Sequence, residues 1–204
     1  MTPEHYFSAD PAGETITREV EFAAAGRTFR VTAAGGVFSA GRLDPGTAVL
    51  LRRAPLPAAG TLLDLGCGYG PIALALAASA PAATVYAVDV NRRALDLAAR
   101  NARAHGLDVV TAEPDEVPPD VRFTEIWSNP PIRIGKPALH GLLARWLDRL
   151  TPDGTAWLVV ARNLGSDSLQ VWLTEEGWPT DRHASAKGFR ILRVRSRGTD
   201  GQNP

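Results

Sequence analysis

Apolar residues follow two rhythms along this chain, and the change falls near residue 60. Before it, Val20–Ala23 and Thr28–Thr32 are short β-like runs on either side of Ala24-Ala25-Gly26-Arg27, and they predict a small hairpin. Val37-Phe38-Ser39 follows a Gly35-Gly36 break. Leu43-Asp44-Pro45-Gly46-Thr47 opens a helix, with Asp44 as N-cap and Pro45 at the first helical position, and the helix should stop near Arg53, ahead of Pro55 and Pro57. Beyond residue 60, strands take turns with helix-period stretches. The predicted strands are Thr61–Leu65, Thr84–Val88, Val109–Ala112, Glu125–Ser128 and Thr155–Ala161, followed by an antiparallel pair, Thr180–Ala184 and Phe189–Val194. The predicted helices are Pro71–Ser79, Asn91–His105, Pro137–Leu150 and Ser166–Glu176. Strands alternating with helices imply an α/β, doubly wound, mostly parallel seven-stranded sheet, Rossmann-like, with an amino-terminal β-hairpin extension. We expect 1–57 to be an arm, hairpin and helix packed on a core spanning 58–197, and 198–204 a disordered tail.

Composition narrows the class. The 204 residues are 45% hydrophobic and 22% charged, as in an ordinary globular chain. The longest apolar run, Ile72 to Ala78, is far short of the ~20 residues of a membrane span, and no secretory signal opens the chain. A single cysteine, Cys67, excludes a disulfide framework and a cysteine-based metal site; no metal is expected. These features place the protein in the cytoplasm. The net charge is zero, 22 basic residues against 22 acidic, so any grip on nucleic acid has to be a local patch. Only two of the cations are lysines, Lys136 and Lys187.

The candidate chemistry lies where strands end. Leu63-Asp64-Leu65-Gly66-Cys67-Gly68-Tyr69-Gly70-Pro71 joins the strand at 61–65 to a helix. Its spacing is G-x-G-x-G after an acid; the third glycine of a dinucleotide fingerprint would fall on Pro71, and no triphosphate loop is present. Asp89 ends the next strand, where a carboxylate can accept from both ribose hydroxyls. The simpler alternative is a cap for the following helix; the glycine turn upstream favours a nucleoside. Asn129-Pro130-Pro131-Ile132 ends the strand at 125–128. Two prolines in succession remove two donors and stiffen the loop, so acceptors on Asn129 and the neighbouring carbonyls are aimed in a fixed direction. Two acceptors converging on an amino group would orient its lone pair at an electrophile.

These motifs resemble the class I S-adenosylmethionine-dependent methyltransferases. The resemblance implies that Gly66, Gly68 and Gly70 line the methionine and ribose side of the cofactor, that Asp64 lies beneath the methionyl end, that Asp89 holds the ribose, and that Asp115, within Glu113-Pro114-Asp115-Glu116, reaches the adenine. It implies that Asn129, Pro130, Pro131 and Ile132 form the catalytic loop, acting on adenine N6, guanine N2 or a glutamine side-chain nitrogen, with Asn129 also beside the cofactor. Many members have Tyr or Phe where this chain has Ile132, so stacking on a base would come from elsewhere, such as Phe38 or Phe189.

Further segments resemble one branch, the methyltransferase small domain of the ribosomal RNA small-subunit guanine-N2 methyltransferase C type. They are His5-Tyr6-Phe7-Ser8, Gly36-Val37-Phe38-Ser39, Leu43-Asp44-Pro45-Gly46-Thr47, Asn129 to Lys136, Gly165-Ser166-Asp167-Ser168-Leu169 and Lys187-Gly188-Phe189-Arg190. Some members carry an additional amino-terminal copy of the domain, which this sequence does not show. The branch implies N-methylation of guanine N2 in ribosomal RNA, with small-subunit RNA or the assembled subunit as partner. Phe38, Arg133, Lys136, Lys187 and Arg190 would then contact substrate, and zero net charge favours a structured partner over naked RNA. N5-glutamine methylation of a protein is the rival activity, and a cofactor-binding module without catalysis the non-enzymatic one. Arg182, His183, Arg193 and Arg195 are read as solvated charges or carboxylate partners, His140 as a packing or surface residue, Cys67 as a small residue in a tight turn, and the five tryptophans as core or partly buried anchors.

Overall fold

A computed structural model describes residues 17–35 and 42–197. The amino-terminal motif at 5–8, the segment with Phe38, and the tail 198–204 lie outside the described residues.

The hairpin forms as expected, β1 (Thr17–Ala24) against β2 (Arg27–Ala34). Its two-residue turn, Ala25-Gly26, has positive φ at both positions, the form whose twist suits a hairpin. Phe22 and Phe29 stack across the ladder at 5.1 Å. Helix α1 (Pro45–Arg53) starts on Asp44, whose Oδ1 accepts from the Thr47 amide at 2.9 Å.

The remaining strands are β3 (Thr61–Leu65), β4 (Thr84–Val88), β5 (Val110–Ala112), β6 (Phe123–Ser128), β7 (Leu150–Ala161), β8 (Thr180–Ala186) and β9 (Phe189–Arg195). They form one seven-stranded sheet in the order β5-β4-β3-β6-β7-β9-β8. Only β9 runs antiparallel to its neighbours. The helices are α2 (Pro71–Ser79), α3 (Arg92–Ala104), α4 (Lys136–Leu147) and α5 (Ser166–Glu175). Strand residues alternate between two cores. Leu62, Trp127, Trp157 and Val159 join α1, α2, α3 and the hairpin on one face. Leu63, Ile126, Leu158 and Val160 join α4 and α5 on the other. This is the period-two pattern of a sheet covered on both sides. Pro71 to Ala77 are all buried, which explains why α2 is apolar all round.

The strand order reverses between β3 and β6, and this positions the site. The two strands are parallel neighbours with Leu65 opposite Ser128, so the loops after them leave the same edge side by side. The Ser128 hydroxyl donates to the Leu65 carbonyl at 2.7 Å and locks that end.

The largest departure from the expected boundaries lies between α4 and β7. The helix predicted to Leu150 ends at Leu147, and Leu150 opens β7. The Phe123 amide takes the Arg149 carbonyl at 2.8 Å, which draws the chain into the sheet early. A bulge in β7 between Leu150 and Thr155 then shifts the β6–β7 register; a Cβ on Gly154 would sit 2.9 Å from the Thr151 carbonyl oxygen.

Asn101 on α3 fastens the hairpin to the core. Its Oδ1 accepts from the Thr32 amide (2.9 Å), and its Nδ2 donates to the carbonyls of Thr32 (3.0 Å) and Tyr69 (2.9 Å). Asn101→Ala is expected to cost about 2–3 kcal/mol by stranding these buried groups, and to speed exchange of the Thr32 amide. Urea unfolding and hydrogen exchange check both; an unchanged Thr32 rate would show that the hairpin is held elsewhere.

Candidate active site

The glycine turn after β3 is held by backbone bonds to the end of β4. The amides of Gly66 (2.8 Å) and Cys67 (3.0 Å) both donate to the Val88 carbonyl. Gly66, Gly68 and Gly70 have φ of +75°, +54° and +91°, a region that a residue with a Cβ enters only at a cost. Gly66 is exposed, with open space where a Cβ would stand. Gly70, grouped above with the cofactor glycines, faces α3 instead: a Cβ there would meet the Ala98 Cβ at 3.1 Å. Its absence lets two helices close together, and the pocket lining includes Gly66 and Gly68 without it.

Asp89 is the acid beside this turn. Its Oδ2 accepts from the Gly68 amide and its Oδ1 from the Asn91 amide, each at 2.9 Å. Burial raises its pKa, opposed by these amides. Asp64 lies deeper. It is completely buried, and its Oδ2 accepts from the Ala73 amide at 2.9 Å, doing for α2 the capping that Gly70 cannot. Its Oδ1 has no partner among the described residues, and burial pushes its pKa up to about 8. The Cys67 thiol is buried and pushed well above its ordinary value by burial first, then by Asp89 and Asp64, which suits a filler in a tight turn.

The loop after β6 places Asn129 across from the glycine turn. Asp44, Thr47, Gly66 to Tyr69, Pro71, Ile72 and Asn129 line one pocket. The Asn129 Nδ2 donates to Asp44 Oδ1 (2.7 Å) and to Thr47 Oγ1 (3.1 Å), both at the start of α1. The Pro130 carbonyl accepts from the Ile132 amide at 2.8 Å, turning the chain into a short 3-10 segment, Ile132–Ile134. That carbonyl is therefore partly occupied by the fold, and the Asn129 side chain is the cleaner acceptor.

The remaining candidates divide. Arg133, Lys136 and Lys187 are exposed. Their segments follow β6 or join β8 to β9, at the edge of the sheet where the pocket opens. Arg190 does not project into solvent: its side chain is 13% exposed and turned onto Asp167. Asp115 is held away at Arg145 of α4 (2.8 Å), with its side chain 92% exposed. Arg193 and Arg195 face Asp181, Arg182 faces Asp167, and His140 stacks on Trp172 at 3.7 Å. Trp127, Trp146, Trp157 and Trp178 are buried. The sequence marked Asp44 and Thr47 as a helix start within a branch-resembling segment but gave them no place at the site, and passed over Arg162, whose amide donates to the Gly188 carbonyl (2.9 Å) beside Lys187. No pattern in the sequence pairs residues so far apart. Among the described residues no acidic, histidine or cysteine cluster could hold a metal, and no helix is long and apolar enough to cross a membrane.

The site suits a nucleoside bearing a cationic centre. The open space over Gly66 admits a ligand against backbone, Asp89 stands beside it, and the Tyr69 hydroxyl is buried at the pocket without a partner among the described residues. Gly66, Gly68 and Asp89 would hold such a cofactor.

The fold is that of the S-adenosylmethionine-dependent methyltransferases. The chain belongs to the methyltransferase small domain family, whose profile matches residues 28–193. It is similar to the uncharacterized protein YbxB of Bacillus subtilis, 32% identical over 197 residues, covering 94% of this chain and 98% of that protein. It is also similar to ribosomal RNA small subunit methyltransferase C of Pseudomonas aeruginosa, 32% identical over 193 residues, covering 92% of this chain and 57% of that protein. Among solved structures it resembles the T. thermophilus 16S rRNA N2 methyltransferase RsmC in complex with AdoMet and guanosine. The TM-score is 0.76 at 25% identity, covering 90% of this chain and 52% of that one. The chain thus spans about half the length of the methyltransferase C proteins it matches. S-adenosylmethionine is the cofactor.

Asp64 makes stability pH-dependent. Its raised pKa means that the folded state keeps a proton which the unfolded state releases, so its contribution is complete below the ordinary carboxylate range near ~4 and lost as pH rises to about 8. Asp64→Asn keeps the Ala73 bond and should flatten the decline. Denaturation from pH 5 to 9 tests this; an equally steep profile in the variant would remove Asp64 as the cause.

Proposed function

We propose that this protein methylates an exocyclic amino nitrogen, guanine N2 of small-subunit ribosomal RNA. The observation that carries the reading is Asn129, held at the carboxyl end of β6 across the pocket from the glycine turn. The branch-specific segments support the target class, as does the similarity to a protein described in complex with AdoMet and guanosine.

When bound, S-adenosylmethionine supplies an electrophilic methyl: the substrate nitrogen takes it as the sulfur–methyl bond breaks, that electron pair stays on sulfur, and one proton leaves for water. The chain has little acid–base chemistry to perform. Asn129 Oδ1 accepts from the amino group and turns its lone pair toward the methyl, so positioning and charge complementarity supply the acceleration. Guanine N2 in a folded RNA has to be exposed or flipped out. The exposed Arg133, Lys136 and Lys187, joined by Arg162, form a basic rim at the pocket edge that suits the flanking phosphates. Phe189, packed against Gly46 at the start of α1, puts an aromatic ring near the same edge.

Labelled methyl transfer to small-subunit RNA, assembled subunits and total protein is the direct test. N2-methylguanosine after digestion is the expected product; label in protein glutamine would replace this reading with the rival one. Asn129→Ala should lower turnover about a hundredfold or more while cofactor affinity stays within about twofold. Arg133→Ala with Lys136→Ala should raise KM for RNA and flatten its salt dependence, with kcat nearly unchanged.

A further inference from the structure

We infer that Asp44, with Thr47, is a positioning residue that sets the orientation of the Asn129 amide and polarises it. The inference rests on the role proposed above for Asn129, and it gives a duty there to two residues at the start of α1.

A carboxylate offers acceptors and no donor, so the group facing Asp44 Oδ1 at 2.7 Å has to be the amide nitrogen of Asn129. The second Nδ2 contact, to the Thr47 hydroxyl at 3.1 Å, agrees with that assignment. Both are half-buried contacts between segments that are remote in sequence. The amide NH2 is thus committed to the fold, and Oδ1 is the atom left for a substrate. Without these partners the amide could turn over and present a donor to an amino group that is itself a donor.

The bond to Asp44 is charge-assisted and acts through the amide. Donating to a carboxylate leaves Nδ2 richer in electron density, which amide resonance passes on to Oδ1 and makes that oxygen a stronger acceptor. An attacking amino nitrogen gains positive charge as it forms its new bond, and the Asp44–Asn129 chain points negative charge at it before the reaction begins. Asp44 itself is fixed, because the same Oδ1 accepts from the Thr47 amide at 2.9 Å. One atom therefore caps α1 and orients Asn129. The cap and the catalytic loop close on each other across the pocket.

Two substitutions separate these duties. Asn and Ser both cap helices well. Asp44→Asn retains an oxygen at the same reach without the charge; Asp44→Ser brings the oxygen one bond nearer the backbone and away from Asn129. Expected is a fall in kcat of about a hundredfold in Asp44→Ser and about tenfold in Asp44→Asn, with cofactor affinity held within about threefold in both. Thr47→Val, which removes only the weaker contact, should fold normally and lose less. Independently of activity, the Asn129 side-chain amide resonances, assigned by their loss in Asn129→Ala, should shift toward free-amide positions in Asp44→Ser and stay dispersed in Asp44→Asn. Unchanged Asn129 resonances in Asp44→Ser overturn the inference, and so does a loss confined to cofactor affinity, which would make Asp44 a cofactor ligand. If the wild type methylates no nitrogen, the proposed function fails while the resonances still decide whether Asp44 orients Asn129.

Discussion

Everything at this site depends on the parallel pairing of β3 with β6. Where Leu65 lies opposite Ser128, the chain order of the sheet reverses, and the connections before and after leave on opposite faces. The helices that follow the two strands, α2 and α4, pack on opposite faces of the sheet, and the carboxyl ends of the strands open between them onto a crevice walled by the start of α1. One loop is built from glycines and approaches a ligand with backbone; the other is built from prolines and holds a side chain still. The Ser128 hydroxyl on the Leu65 carbonyl ties the two loops at their roots, so their separation is set by one sheet spacing.

The charges around this crevice are arranged at three depths. Asp64 is completely buried beneath the turn, where burial favours its neutral form and its remaining bond holds the start of α2. Asp89 is half-buried, with two amides supporting its charge. Asp44 lies at the pocket wall and is spanned by its own helix and Asn129. The three carboxylates therefore have different work: one caps α2 beneath the turn, one takes the amides of Gly68 and Asn91, and one joins the start of α1 to Asn129.

The basic rim is separate from these acids. Arg133, Lys136, Arg162 and Lys187 are exposed where strands end or turn, while Arg190, Arg193 and Arg195 are matched with carboxylates. A neutral chain can thus present local positive charge at one edge.

Much of the architecture was legible in the sequence by itself. Period-two runs and apolar helical stretches marked every strand and helix of the core, and the cap at Asp44 marked the start of α1, because these signals are local. The glycine turn, Asp89 and the Asn-Pro-Pro loop were legible for the same reason: each is a contiguous motif whose backbone needs particular residues. Other features took the tertiary structure to decide. The early end of α4 follows from a sheet bond between Phe123 and Arg149, and the duty of Gly70 follows from the approach of Ala98. Asp115 and Arg190 were drawn to Arg145 and Asp167, partners that no spacing along the chain predicts. The link from Asp44 to Asn129 joins segments 85 residues apart, and it exists only because the sheet brings α1 over the end of β6. Local order is dictated by neighbours in sequence, whereas the direction in which a polar side chain finally points is dictated by whichever partner folding delivers.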